Sequence, residues 1–219
     1  MSQSATDQPL KTFFEPKTLS ELGITGHILL PAVRYEHTAL PKTGLAKWLS
    51  HLPKISKAPI AMDIDVGCVL MSQTGKILQS VHYGNIRTDD GSVRHGGDGL
   101  LGASDFEEKF INQEQIQLHL NKIDQEVHHL FIIIANHHKQ PLPKANKGLG
   151  VLRDNEGALV HEFELASLDD GVQALVAWHL QRDDGDWRVS APLKSIKHAD
   201  MTDLIDNAEE LLSAKNTRW

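Results

Sequence analysis

Two aspartates that lie two residues apart in an apolar segment are the first residues of this sequence that could do chemistry. Asp63 and Asp65 fall within residues 60–70, where apolar residues alternate with polar or small ones. That alternation is typical of a β-strand, and residues two apart on a strand project from the same face. Two carboxylates on one face repel each other unless a cation, a basic group or open water relieves them.

A second acidic feature lies downstream, in residues 89–108. This segment is rich in glycine and carboxylates and contains Asp98, and Glu114 follows at the foot of the next predicted strand. Calcium binds roughly six to eight oxygens from carboxylates, backbone carbonyls and water. Glycine lets the backbone fold tightly enough to offer its carbonyls. The composition is equally that of a solvated loop, and the EF-hand pattern is absent.

The elements that would position these residues are predominantly strands. Between residues 60 and 198, short alternating or apolar runs are separated by turn sequences such as 154–157 and 182–186. Asp-Gly content of this kind favours hairpins. Several short strands with few helical stretches between them predict a mainly β fold, specifically a two-sheet β-sandwich over residues 60–198.

The two ends of the chain differ from this pattern. Residues 1–59 hold six of the nine prolines, with short candidate strands at 28–30 and 33–35 between them. Prolines spaced so closely interrupt regular elements, so we expect an irregular N-terminal extension packed on the main domain. Residues 199–219 place apolar side chains at helical spacing, which predicts a C-terminal amphipathic helix.

Composition excludes several classes of protein. The 219 residues contain 29 Asp and Glu against 22 Lys and Arg, a formal charge of -7, which argues against general nucleic-acid binding. A single cysteine, Cys68, rules out an intramolecular disulfide framework and a cysteine-rich zinc site. No apolar run approaches the roughly 20 residues that span a bilayer, and the first residues lack a secretory pattern. We therefore expect a cytoplasmic protein.

Two other chemistries deserve a test against the structure. The run 63–66 matches the Asp-x-Asp element of haloacid-dehalogenase-like, magnesium-dependent phosphatases, but that fold needs a parallel strand followed by alternating helices. Thirteen histidines invite a transition-metal site. The pairs at 128–129 and 137–138 flank one predicted strand at opposite ends, so we expect them not to converge on one ion.

Several motifs occur in an order that resembles the tellurium-resistance TerD family of bacterial stress proteins. The resemblance covers roughly residues 60–195 and rests on residues 62–70, 84–85, 90–98, 114–116, 146, 151–153 and 185–189. It implies a β-sandwich that binds calcium through acidic loops at one end. It also implies a role in tellurite and general stress resistance, with other stress-resistance proteins as partners in a complex at the inner membrane, and no established catalysis.

The resemblance assigns the metal-ligating residues by position. Asp63 and Asp65 match the family's paired aspartates, Asp98 the aspartate of its Gly-Asp-Asn loop, and Glu114 the glutamate that closes its acidic segment. This chain departs from the pattern by carrying Gly99 instead of asparagine and a longer segment at 103–113 that adds two phenylalanines. Oxygen ligands are lost there, so the resemblance implies a weakened or single calcium site.

Three functions remain open from the sequence. The first is a non-catalytic, calcium-binding stress protein that uses Asp63, Asp65, Asp98 and Glu114. The second is a metal-free sandwich of the same fold that serves as a scaffold for protein contacts. The third is the magnesium-dependent phosphatase.

Overall fold

The chain is almost entirely β-structure wherever its structure is described. The computed structural model describes residues 14–41, 59–96, 112–196 and Met201, and the prediction of a mainly β fold is confirmed there. The described strands are β1 Phe14–Thr18, β2 Ile28–Glu36, β3 Ala39–Leu40, β4 Ile60–Ala61, β5 Ile64–Met71, β6 Ile77–Val81, β7 Val93–His95, β8 Asn112–His119, β9 His129–Asn136, β10 Asn146–Asp154, β11 Leu159–Glu164, β12 Ala174–Asp183, β13 Asp186–Ala191 and β14 Lys194–Ser195. Short 3-10 turns lie at Leu142–Lys144 and Leu165–Ser167.

These strands form two main antiparallel sheets. The larger has the order β1-β13-β12-β9-β5-β6, with β14 beside β12, and the smaller has the order β11-β10-β2-β8-β7. The short strands β3 and β4 pair only with each other. Buried side chains from both sheets form one apolar cluster between them, so the sheets pack face to face as a β-sandwich.

The strand β5 is buried on both faces. Its residues Ile64, Val66, Cys68 and Leu70 enter the cluster between the sheets. The alternate residues Val69 and Met71 join a second apolar cluster on the outer face of the larger sheet. Met201 packs in that second cluster, directly over Gly67. The outer face of β5 is therefore covered as well as its inner face.

The N-terminal region differs from the sequence prediction. Residues 14–36 are not an irregular extension, because β1 pairs with β13 and β2 is the middle strand of the smaller sheet, between β10 and β8. Pro31 did not break β2: it lies opposite Leu152 of β10, and the β2–β8 pairing is interrupted beside it. A proline lacks only its own N–H, so a strand tolerates it where the ladder is already open.

Two other predicted features fall outside the described residues. These are Asp98 and the C-terminal amphipathic helix of residues 199–219, of which Met201 alone is described. The predicted strand at 60–70 is two strands, β4 and β5, with Met62 and Asp63 between them.

Substitution of Gly150 tests the packing between the sheets. A Cβ at this position of β10 would overlap two ring carbons of Phe163 and lie 3.0 Å from its Cδ1. Because the ring is held in the core, we expect Gly150→Ala to lower the free energy of unfolding by about 1–3 kcal/mol, measured by chemical denaturation. Gly84→Ala is the matched control, since it would meet only the half-buried ring of His82. An equal cost for both variants would contradict tight packing at Gly150.

Candidate cation site

The N-terminal half of β5 forms hydrogen bonds to the opposite sheet. Its neighbour β6 pairs only with Cys68–Met71, so no described strand lies beside the preceding residues of β5 on that side. The N–H of Ile64 donates to Oη of Tyr35 at 3.1 Å, and the N–H of Val66 donates to Oε2 of Glu114 at 3.3 Å. Two side chains of the smaller sheet therefore complete the ladder of the larger one.

Tyr35 is the more buried of these two acceptors, with 3% of its surface exposed. Its hydroxyl lies 3.4 Å from the carbonyl oxygen of Met62 and donates to it. Burial is the main cause that raises the pKa of Tyr35 to about 12, because a phenolate would lose its hydration. The hydroxyl therefore stays protonated, and it ties β2 to the residues on either side of Asp63.

Three carboxylates also raise the pKa of this hydroxyl. After burial, the charges of Asp63, Glu114 and Asp65 are the further causes that raise the pKa of Tyr35, since each would repel a phenolate. Three of the four residues predicted as metal ligands thus act electrostatically on one point. The fourth, Asp98, lies outside the described residues.

The three carboxylates differ in their surroundings. Asp63 precedes β5 and is exposed, and its carbonyl accepts a hydrogen bond from the N–H of His137. Asp65 lies within β5 and is only 6% exposed. By strand alternation it belongs to the outer face of the larger sheet, with Val69 and Met71. Glu114 instead lies between the sheets on β8.

Glu114 already has a basic neighbour. Nε2 of His95, on β7, lies 3.2 Å from Oε2 of Glu114, the same oxygen that accepts from Val66. The His95 side chain is 4% exposed and that of Glu114 is 27% exposed. His95 is not among the site residues predicted from the sequence. Its signal was weak, because only the antiparallel pairing of β7 with β8 brings the two residues together.

The described carboxylates do not form a complete ion cage by themselves. Among residues 14–41, 59–96, 112–196 and Met201, no group of three His, Cys, Asp or Glu side chains could hold a metal ion. Calcium takes roughly six to eight oxygens, so a site at this end would need further ligands. The described residues fit part of such a site and no more.

The phosphatase motif lacks the structure that its chemistry requires. The run 63–66 leads into β5, which pairs antiparallel with both β6 and β9. A haloacid-dehalogenase-like site needs its aspartates at the end of a parallel strand. The described strands that neighbour β5 therefore give this function no support.

The histidine pairs lie apart, as predicted from the sequence. His129 begins β9, whereas His137 and His138 follow its last residue.

The structure adds a contact that the sequence did not indicate: Nδ1 of His129 lies 3.1 Å from Nε2 of His179. The His179 ring also stacks on Phe131, with centroids 4.4 Å apart. Two causes lower the pKa of His179 to about 3. Burial is the larger cause, and the charge of His129 is the smaller one.

Comparisons with known proteins agree with this fold. A family model described as "TerD domain" matches residues 44–207. The "Tellurium resistance protein TerZ" of Serratia marcescens is 24% identical over 131 residues, which is 60% of this chain and 65% of that protein, just under two thirds of its length. The "Tellurium resistance protein TerD" of the same organism is 23% identical over 137 residues, 59% of this chain and 69% of that protein.

Solved structures support the same architecture. A protein of unknown function superposes with a TM-score of 0.60 at 16% identity, over 82% of this chain and 95% of that one. A homologue of the telluride resistance protein TerD from Streptomyces coelicolor A3(2) has the same TM-score and coverage at 10% identity. At these identities the likeness shows the fold alone. In the part of the chain that the structure describes, no helix is long and apolar enough to cross a membrane.

Removal of one hydroxyl tests the link between the sheets. Tyr35→Phe would leave the buried N–H of Ile64 without its acceptor, so we expect it to lower the free energy of unfolding by about 1–3 kcal/mol. Tyr83→Phe is the control, because Tyr83 is the other tyrosine of the chain and is 42% exposed. We expect that control to stay within about 0.5 kcal/mol of the unmodified protein. Equal effects in urea denaturation would show that the hydroxyl of Tyr35 does not hold the sheets.

The buried histidine predicts how stability depends on acid. His179 takes up a proton at its ordinary pKa of 6.5 when unfolded but only at about 3 when folded. As the pH falls from 6.5 towards 3, the unfolded state binds the proton first, so stability decreases by up to roughly 1.4 kcal/mol per pH unit from this group. Denaturation of His179→Phe across this window should show a shallower slope. His37→Gln, at an exposed site, should keep the slope of the unmodified protein.

Proposed function

The chain belongs to the TerD family, because the family model spans well over half of it, and from this membership we propose a non-catalytic stress-response protein. Its relatives are named as tellurium resistance proteins, so we propose a role in tellurite and general stress resistance. The protein would act by binding. It would take calcium at the acidic end of the sandwich and present that end to partner proteins.

One observation supports calcium binding above the others. Three carboxylates, those of Asp63, Asp65 and Glu114, act on the buried hydroxyl of Tyr35 next to the open half of β5. Carboxylates that crowd one region destabilise the folded protein unless a positive charge compensates them. A hard cation with oxygen ligands is the compensation that such residues suit best, and Asp98 is proposed as a further ligand.

Calcium binding would change the charge and the conformation of the surface that this end presents to partner proteins. Bound calcium would remove the repulsion among the carboxylates and thereby favour one arrangement of the segments that carry them. We propose other stress-resistance proteins as partners and the cytoplasm as the compartment, with the complex at the surface of the inner membrane.

A metal-free scaffold is the second candidate, and a specific contact favours it. Glu114 is the most central of the predicted ligands, and one of its oxygens already lies beside His95 and accepts from the N–H of Val66. This arrangement satisfies that oxygen without a cation. The two functions therefore differ in whether Glu114 serves the fold alone or also binds an ion.

Thermal unfolding of the chelator-treated protein separates these functions. A ligand at a hundredfold excess over its Kd adds about 2.7 kcal/mol to the free energy of unfolding, which corresponds to a rise in Tm of roughly 5–10 °C. We expect such a rise with millimolar calcium and a much smaller one with magnesium. Asp65→Asn, Asp63→Asn and Asp98→Asn should each reduce the rise.

Asp184→Asn is the control, since this exposed aspartate lies in the β12–β13 hairpin, at the end of the larger sheet opposite to Asp63, and loses the same charge. It should keep the full response to calcium. Without any calcium response in the unmodified protein, the scaffold would be the better explanation. A response that persists in all three aspartate variants would place the ion elsewhere.

A further inference from the structure

The outer face of the smaller sheet carries a row of arginines. Arg87 lies directly opposite Arg94 in an isolated bridge, and Arg94 lies opposite Gln117 of β8. Farther along the same line, Arg153 of β10 lies opposite Leu30 of β2. Val93 and Leu152, which precede Arg94 and Arg153 on their strands, are buried in the core, so these two arginines point outward by strand alternation, and Arg87 is itself exposed.

No acidic residue of the described chain compensates this row. Among residues 14–41, 59–96 and 112–196, no ion pair includes Arg87, Arg94 or Arg153. Arg94 uses its Nε to donate to the carbonyl of Gly91, and Nε of Arg153 is buried with no acceptor. By contrast, Arg188 on the larger sheet lies 2.6 Å from Asp183. The row is unusual in a chain with a net charge of -7.

The like charges of Arg87 and Arg94 also belong to residues that lie directly opposite each other. Like charges directly opposite each other on neighbouring strands repel, and Arg87 and Arg94 occupy such a pair on the exposed surface. A carboxylate that bridges the two guanidinium groups would turn this repulsion into attraction. Guanidinium groups bind carboxylates with two parallel hydrogen bonds, which gives both geometry and charge complementarity.

We propose that this row, Arg87, Arg94 and Arg153, is a docking surface for an acidic segment of a partner protein. Strands in a sheet lie about 4.8 Å apart, so Arg94 and Arg153, three strands apart, are separated by about 14 Å. An extended peptide covers this distance in about four residues at 3.3 Å per residue. The occupant is therefore a segment with one acidic group over the Arg87–Arg94 pair and another about four residues away.

Charge on the rest of this face favours a short acidic segment over a nucleic acid. Glu162 and Glu164 are exposed on the edge strand β11, beyond Arg153, and Asp89 is exposed beyond Arg87. A phosphate chain needs a longer continuous positive path, and these carboxylates interrupt it at both ends. The docking surface is independent of calcium binding, because it lies on a different face and shares no residue with the candidate cation site.

A labelled peptide of about twelve glutamates provides the direct test. Fluorescence anisotropy with the full chain should show binding at low salt that weakens as salt is added, because exposed charges are screened. Arg87→Gln with Arg94→Gln should weaken binding roughly tenfold, and addition of Arg153→Gln should weaken it further. Because Arg87 and Arg94 are exposed, the double variant should fold even where the triple variant does not.

The control removes the same number of charges elsewhere. Lys17 and Arg188 lie on the larger sheet. The double variant Lys17→Gln with Arg188→Gln should bind the peptide with an affinity within about twofold of that of the unmodified protein. No peptide binding by the unmodified protein would overturn the proposal. So would an equal loss in the control, which would indicate an effect of net charge alone. The proposal would also be overturned if a single-stranded oligonucleotide bound more tightly than the peptide and depended on the same arginines. The ligand of this surface would then be a nucleic acid.

Discussion

The structure depends on how the backbone of β5 satisfies its hydrogen bonds. A buried N–H without an acceptor is costly, and β6 is too short to supply acceptors along the first half of β5. Tyr35 and Glu114 supply them from the opposite sheet. The two sheets of a sandwich usually meet through apolar contacts alone, but at this end polar bonds to the backbone also fix their relative position.

The hydrogen bond between Glu114 and the backbone of β5 also affects the charge at this end of the sandwich. Glu114 reaches the backbone of β5 at Val66, so the bond that completes the ladder also brings a carboxylate to the end of β5 that carries Asp65. Nε2 of His95, on β7, lies 3.2 Å from Oε2 of this carboxylate. The same end of the molecule is therefore stabilised by hydrogen bonds to the backbone and is the end that we propose binds calcium. The two proposed functions differ in whether Glu114 binds calcium or contacts only His95 and the backbone of β5.

The two sheets also differ in the chemistry of their outer faces. The larger sheet is apolar there, with Val69, Phe131 and Ile133 packed against Met201. The smaller sheet exposes arginines whose charges the described chain does not neutralise. One face is thus covered by the chain itself, while the other offers charge to a partner. Burial of the His129–His179 pair on the larger sheet agrees with this difference, because neutral imidazoles tolerate an apolar surrounding that guanidinium groups do not.

The sequence by itself determined the strand character of most of the described elements, and it supplied the residues proposed for the cation site. Period-two alternation is a local property, so strands such as β5 and β9 could be predicted, and the order of the acidic motifs indicated the family. The position of β2 could not be predicted, because Pro31 is a strand breaker except where a neighbouring ladder is already interrupted. The contact of His95 with Glu114, the His129–His179 pair and the arginine row also depend on register between strands distant in sequence. Only the tertiary structure decided them, because strand pairing is set by packing of the whole core and not by the residues that it brings together.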